Sequence, residues 1–172
     1  MSEWFASGKK LSDKFLNLSL EEGALGDFQK SLENSEYCAH SESVSNLRER
    51  TEWAIKNGDL SELEYVLRQC GMLENVCLLD QILARPAIVI AADYGQNDVI
   101  KFFLERGSDV NVLDKFGISP LLAAIWENHS KAVEILLTFG ASLNKNQSPS
   151  GKSYFDEASG KDAVLDVIER FL

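Results

Sequence analysis

The sequence predicts an all-α solenoid of stacked helix-turn-helix units, and three observations predict it. The first is self-similarity: Ala91, Gly95, Leu104, Gly107 and Asn111 recur as Ala124, Asn128, Leu137, Gly140 and Asn144, each thirty-three residues on. A fixed period of this length marks a repeat architecture. The second is the order inside each copy: a short apolar segment, a Gly or Asn turn, a longer apolar segment, then Gly107-Ser108-Asp109-Val110-Asn111 or Gly140-Ala141-Ser142-Leu143-Asn144. The third is spacing, because Leu60, Leu63, Val66 and Leu67 fall three and four residues apart and so share one helix face.

Taken in order, residues 1–46 form an N-terminal extension. Gly23-Ala24-Leu25, with Phe28 and Leu32, overlays Gly58-Asp59-Leu60, with Leu63 and Leu67, thirty-five residues on. This reads either as a degenerate helical pair or as a single amphipathic helix. Ser35 to Ser45, rich in serine, reads as an exposed connector that holds His40. The repeat domain spans 47–172, with repeats at about 47–83, 84–116 and 117–149 and a capping unit at 150–172.

In the first repeat, Thr51 to Gly58 occupies the first-helix register, and Trp53 is expected to be covered by the N-terminal segment. Four extra residues lie between Cys70 and Arg85, and Met72 to Leu83 is unusually apolar for a surface hairpin. That loop either packs back onto the stack, the preferred reading, or presents an adhesive patch. The second repeat opens on Arg85-Pro86-Ala87, its proline one position early. The third opens on Ser119-Pro120, where the hydroxyl can cap free N–H groups and the ring suits the first helical position.

Ala91 and Ala124 sit where helices of neighbouring repeats must approach closely, and Gly107 and Gly140 terminate the second helices in a left-handed conformation. Tyr154-Phe155-Asp156-Glu157-Ala158 opens the last unit, with Ala158 in the register of Ala124 after one inserted residue. The closing helix, Asp162 to Leu172, places Val164, Val167, Ile168 and Phe171 on one face and charges on the other, as a terminal unit requires.

Composition narrows the function. The chain has 172 residues, 45% of them hydrophobic, which suits one domain with a sizeable core. The start has no apolar signal run and no later stretch reaches twenty apolar residues, so an intracellular protein, cytoplasmic and also nuclear, is expected. A net charge of −10 opposes nucleic acid and anionic lipid and favours a partner with a basic surface. Cys38, Cys70 and Cys77 form no metal pattern and read as reduced thiols. His40 and His129 are the only histidines, and His129, just after an inter-helix turn, reads as structural. Gly151-Lys152-Ser153 lacks the upstream glycine of a phosphate loop. No enzyme activity, cofactor or metal is expected.

The period and the opening Ser119-Pro120-Leu121-Leu122-Ala123-Ala124 resemble the ankyrin repeat. More specifically, residues 51–172 resemble the myotrophin family of small ankyrin proteins. The matching segments are Trp53-Ala54-Ile55-Lys56-Asn57-Gly58-Asp59-Leu60, Ala91-Ala92-Asp93-Tyr94-Gly95-Gln96, Asp114-Lys115 with Ile118 to Ala124, and Phe155-Asp156-Glu157-Ala158. Residues 1–50 have no counterpart there. The resemblance implies a non-catalytic monomer that binds the actin capping protein heterodimer and inhibits barbed-end capping. The alternative is an adaptor or inhibitor of another basic protein: a kinase, a transcription factor or a proteasome subunit. Repeat proteins of this kind make contacts at hairpin tips and outward first-helix positions, which singles out Asp93, Tyr94, Asp114, Lys115, Phe116 and Trp126. Trp126 either anchors a partner or packs on a neighbouring first helix.

Overall fold

In a computed structural model of the chain, residues 44–73, 75–143 and 148–172 are described. The expected N-terminal helical pair and serine-rich connector, with Cys38 and His40, lie outside them, as does Asn144. The described residues form helices α1 (Val44–Asn57), α2 (Leu60–Gln69), α3 (Ala87–Asp93), α4 (Asn97–Glu105), α5 (Pro120–Trp126), α6 (Ser130–Thr138), α7 (Tyr154–Glu157) and α8 (Asp162–Glu169), with a 3-10 turn at Val76–Gln81. No strand occurs among them. Helix α1 begins at Val44, three residues before the first repeat was expected to open.

The helices pair in order, α1 with α2, α3 with α4 and α5 with α6, and the pairs stack. First helices form one row, with α1 against α3, α3 against α5 and α5 against α7, while α6 lies between α4 and α8 in the second row. Side-chain size explains the closeness of the first row: Ala54, Ala91, Ala92, Ala123, Ala124 and Ala158 are all fully buried. Larger side chains fill the space between rows, among them Ile55, Leu63, Leu67, Ile100, Phe103, Leu122 and Leu136.

The thirty-three-residue period is written in the backbone. After each first helix, the N–H of Asp59, Gln96 and His129 donates to the carbonyl of Ala54, Ala91 and Ala124, each at 2.9 Å. After each second helix, Met72, Ser108 and Ala141 donate to Leu67, Phe103 and Leu136 at 2.8, 3.0 and 2.9 Å. These six-residue closures satisfy helix-end carbonyls and need a left-handed residue within them. Gly58, Gly95 and Asn128 supply it after the first helices (φ +71°, +64° and +59°), and Gly71, Gly107 and Gly140 after the second.

Helix starts are less uniform. Asp59 caps α2 by accepting Glu62 N–H at 3.0 Å, and Ser119 caps α5 by accepting Leu122 N–H at 3.1 Å. The early proline leaves α3 without a serine, since Pro86 stands where Ser119 stands one repeat later. Asp80 fills the gap from the preceding 3-10 turn, accepting Ala87 N–H at 2.8 Å. Burial away from water pushes the Asp80 carboxyl above its ordinary value, with the Ala87 bond pulling the other way.

This contact also shows what the apolar loop does. Met72, Val76, Leu79 and Leu83 are buried in the core, and Leu73, Leu78 and Ile82 pack against it. The loop is folded back onto the stack, as preferred from the sequence. Its apolar side chains cover the flank of α3.

The terminal unit departs from its predecessors. Ser153 stands thirty-four residues after Ser119, but the turn glycine Gly160 (φ +80°) stands only thirty-two after Asn128, so the segment from cap to turn loses two residues and α7 is a single turn. Ser153 and Asp156 close it with a reciprocal capping box. Thus Gly151-Lys152-Ser153 is a helix start. Val164, Val167 and Ile168 of α8 are buried as expected, whereas Phe171 is exposed, because the helix ends at Glu169 and carries Phe171 past the apolar face.

One contact ties the last two units together. Ser119 Oγ lies 2.8 Å from the hydroxyl of buried Tyr154, so a single oxygen caps α5 and bonds to the first residue of α7. Ser119→Ala should therefore cost about 2 kcal/mol, a cap plus a buried hydrogen bond. Ser153→Ala, at an exposed capping box, should cost about 1 kcal/mol. Urea unfolding of the two variants checks the difference, and equal midpoints would show that the Tyr154 bond adds nothing.

Candidate protein-binding face

The outward edge of the first-helix row and the hairpin between α4 and α5 carry the sequence-predicted contact residues. The structure separates them into two groups. Tyr94, Lys115, Phe116 and Trp126 are exposed, while Asp93 and Asp114 are drawn into an internal ion network.

Asp114 was expected to project from the hairpin tip. Its side chain is instead completely buried, and it builds the tip from within. Its Oδ1 accepts Phe116 N–H at 2.8 Å and Ile118 N–H at 2.9 Å, and its Oδ2 meets Arg85 Nε at 3.0 Å. The Arg85 guanidinium reaches on to Asp93, with Nη1 2.9 Å from Oδ2. The physical reason is simple: a buried carboxylate needs donors on each oxygen, and two backbone N–H groups plus one guanidinium supply them. Asp93, half-buried, neutralises the other side of the same arginine. Arg85 was not singled out from the sequence. The signal was present, because Arg85 occupies the register of Ile118, an apolar position in the next repeat.

Tyr94 ends α3 and lies on the outer edge, with Lys56 Nζ 5.5 Å from its ring centre. The hydrogen bond that Lys56 donates to Glu52 holds its ammonium above the ordinary value, against some loss of hydration. Phe116, at 61% exposure the most open aromatic of the hairpin, stands at the tip with Lys115 Nζ 5.1 Å from its ring. Gly117, at φ +78°, turns the chain back toward α5 just after it.

Trp126 belongs to α5 and contacts the neighbouring first helix, as one of the two readings expected. Its Nε1–H donates to Glu157 Oε2 of α7 at 3.0 Å, tying it to the neighbouring first helix, while the ring keeps an exposed face. Glu157 Oε1 in turn accepts from Ser150 Oγ at 2.8 Å, and Ser150 Oγ lies 2.6 Å from Ser148 Oγ. Neither Glu157 nor Ser150 was selected from sequence, since nothing local links them to a tryptophan thirty-one and twenty-four residues away. Trp53 of α1 and Phe155 of α7 are exposed as well, at 55% and 47%. The covering expected for Trp53 involves the N-terminal segment, which lies outside the described residues.

This carboxylate gives the face a pH dependence. The Ser148 and Ser150 hydroxyls, then the Trp126 indole, hold the Glu157 carboxyl below its ordinary value. The Ser153 hydroxyl and N–H do the same for Asp156. A lowered folded-state value means that the stabilisation is complete above the unfolded value, near pH 4.3 for glutamate, and is lost as pH falls further. The emission of Trp126, taken as the difference from a Trp126→Phe variant, should change below about pH 4. In Glu157→Gln the same titration should be flat.

His129 locks the row from beneath. Its Nε2 lies 3.1 Å from the carbonyl of Asp93, which can only accept, so Nε2 carries the proton. Gln96, thirty-three residues earlier, donates from Nε2 to the Lys56 carbonyl at 2.6 Å in the same way. The structural role expected for His129 is thus seen as a repeat-to-repeat bond. Among the described residues no group of three His, Cys, Asp or Glu side chains could hold a metal, and no helix is long and apolar enough to cross a membrane.

Comparison with known proteins matches residues 52–147 to the family of ankyrin repeats in three copies. Over 76 residues the chain is 38% identical to a B-cell lymphoma 3 protein homolog of Mus musculus, covering 44% of this chain and 17% of that one. Over 93 residues it is 40% identical to a putative ankyrin repeat protein of Rickettsia bellii (strain RML369-C), covering 53% and 32%. A probable E3 ubiquitin-protein ligase XBOS33 of Oryza sativa subsp. japonica is 28% identical over 105 residues, covering 61% and 20%. The chain therefore spans less than a third of the length of each of these relatives.

Proposed function

Because the chain belongs to the ankyrin-repeat family, we propose that it binds the actin capping protein heterodimer and keeps it from filament barbed ends, acting as a monomer in the cytoplasm and nucleus. Ankyrin repeats form a non-catalytic protein-interaction module, and the family places this chain in that class. The finer reading rests on the myotrophin-like segments at Trp53 to Leu60 and Phe155 to Ala158. One observation carries it: Trp53 and Phe155 lie in those two segments, yet the stack leaves both exposed. A side chain that the core does not use is available to a partner, and exposed aromatics of this kind are frequent binding anchors.

The acidic balance of the chain supports the same choice of partner, since it suits a basic surface. The ion pairs of Asp93 and Asp114 with Arg85 relocate the attraction. Exposed acids such as Glu127 and Asp156, beside the aromatic edge, would meet the partner.

The test is a pull-down with purified capping protein heterodimer followed by barbed-end elongation. Micromolar binding with restored elongation is expected, and Trp53→Ala combined with Phe155→Ala should reduce both about tenfold or more, as loss of a binding hot spot does. No binding at micromolar concentration would end this reading and leave the adaptor alternative.

A further inference from the structure

Two large side chains of the first repeat stand in the open at positions that its successors bury. Counted from the left-handed turn residue of each repeat, Gly58, Gly95 or Asn128, the position five residues earlier holds Trp53, Ile90 and Ala123. Ile90 and Ala123 are buried, and Trp53 is exposed. The position seven residues later holds Tyr65, Phe102 and Ile135 and, counted from Gly160 in the last unit, Val167. The last three are buried, while Tyr65 is 53% exposed even with the Arg50 guanidinium 5.8 Å from its ring centre.

The contrast has a direction along the stack. Val167 lies in α8, the last helix described, and is buried all the same, so cover at this position does not come from a unit that follows. What the first repeat lacks among the described residues, and every later unit has, is a unit before it. The stack therefore opens on an apolar flank, where the end unit of a repeat protein needs a polar one. At the opposite end α8 meets that need, with Asp162, Asp166 and Glu169 exposed.

We propose that residues 15–32 of this chain dock on the Trp53–Tyr65 flank and serve as the unit before the first repeat. The apolar pattern fits, because Gly23, Leu25, Phe28 and Leu32 stand thirty-five residues before Gly58, Leu60, Leu63 and Leu67, close to one period. The connection fits as well. Residues 33–43 join the segment to Val44 at the start of α1, and these eleven residues reach about 35 Å when extended, against about 10 Å between packed helices. A tether of that length holds the segment at an effective concentration on the order of millimolar. A second copy of the chain would have to bring its own charge of −10 against the same charge. Docking also bears on the proposed function, and this consequence alone rests on that reading: the segment and the capping protein contend for Trp53.

The docking is tested in the full chain, labelled with 15N, by the indole N–H resonance of Trp53, assigned by its absence in Trp53→Phe. Phe28→Asp and, separately, Leu25→Asp should each move that resonance and leave the Trp126 indole in place, the sign that the stack is intact. A peptide of residues 15–32 added to the Phe28→Asp chain should return Trp53 to its original position, and the same peptide carrying Phe28→Asp should not. A Trp53 resonance indifferent to both substitutions would overturn the docking, as would a joint shift of Trp53 and Trp126 that the peptide does not reverse. A Trp53 resonance that moves with protein concentration would give the flank to a second copy, and overturn it too. In the pull-down, Phe28→Asp should bind capping protein more tightly by the inverse of the undocked fraction, about tenfold for a segment docked about nine-tenths of the time. Absence of binding by either chain would end the proposed function and leave the docking standing, since the Trp53 readout needs no partner.

Discussion

Gly95→Ala should destabilise the fold by about 3 kcal/mol, the sum of a left-handed backbone penalty of roughly 1 to 2 kcal/mol and overpacking of similar size. Gly95 has φ +64°, and a methyl group there would lie 2.7 Å from the His129 ring. That ring cannot swing aside without losing its bond to the Asp93 carbonyl. Two consequences therefore arise together, a strained turn in the second repeat and a broken tie to the third.

Gly107 provides the comparison. It has φ +85° but nothing within 4 Å of an added methyl group, so Gly107→Ala should cost only the backbone term, about 1 to 2 kcal/mol. Urea unfolding followed by far-ultraviolet circular dichroism measures both. A double variant, Gly95→Ala with His129→Ala, should lose less than the sum of the single changes, since the collision is shared. Equal costs for Gly95→Ala and Gly107→Ala would show that His129 yields freely.

Arg85→Met should cost about 2 to 3 kcal/mol. Removing one partner of a fully buried pair costs roughly 3 to 5 kcal/mol, and the figure is reduced here because Arg85 is itself partly solvated. The substitution leaves the buried Asp114 carboxylate with two backbone donors and no counter-charge, and it frees Asp93 to solvent. Asp93→Asn, by contrast, should stay within about 1 kcal/mol, as half-exposed ion pairs usually do. Unfolding midpoints at low and moderate salt would check this. A small effect of Arg85→Met, comparable to Asp93→Asn, would mean that the Asp114 carboxylate is satisfied by the Phe116 and Ile118 amides alone.

Both predictions bear on binding as well as stability, because the residues lie under the exposed edge. Arg85 and Asp114 set the hairpin tip that carries Phe116, and His129 fixes the end of α3 where Tyr94 projects. A charge reversal at Asp114 would therefore act first on the fold. Weakened binding in such a variant should be read only beside its unfolding curve.

Particular residues show what could be read from the chain. The stacking alanines, Ala54, Ala91, Ala124 and Ala158, the left-handed turn residues and the capping Ser119 each do the work expected of them, because these depend on local backbone geometry repeated at a fixed interval. The apolar loop at Met72 to Leu83 could also be placed, since so many large side chains are costly to leave in water. Phe171 could not, as the helix stops two residues before it. Asp114 looked like a hairpin-tip acid, yet a carboxylate has no preferred direction until its donors are known.

The sequence by itself determined the repeat, its period, its helix pairs and its caps, because each follows from short-range spacing and from residues that tolerate a particular backbone conformation. Only the tertiary structure decided which charges face outward. Arg85 finds Asp114 across twenty-nine residues and Trp126 finds Glu157 across thirty-one, and no local pattern encodes such pairings. They arise because stacking brings successive units together, where a sheltered charge or N–H must find its partner.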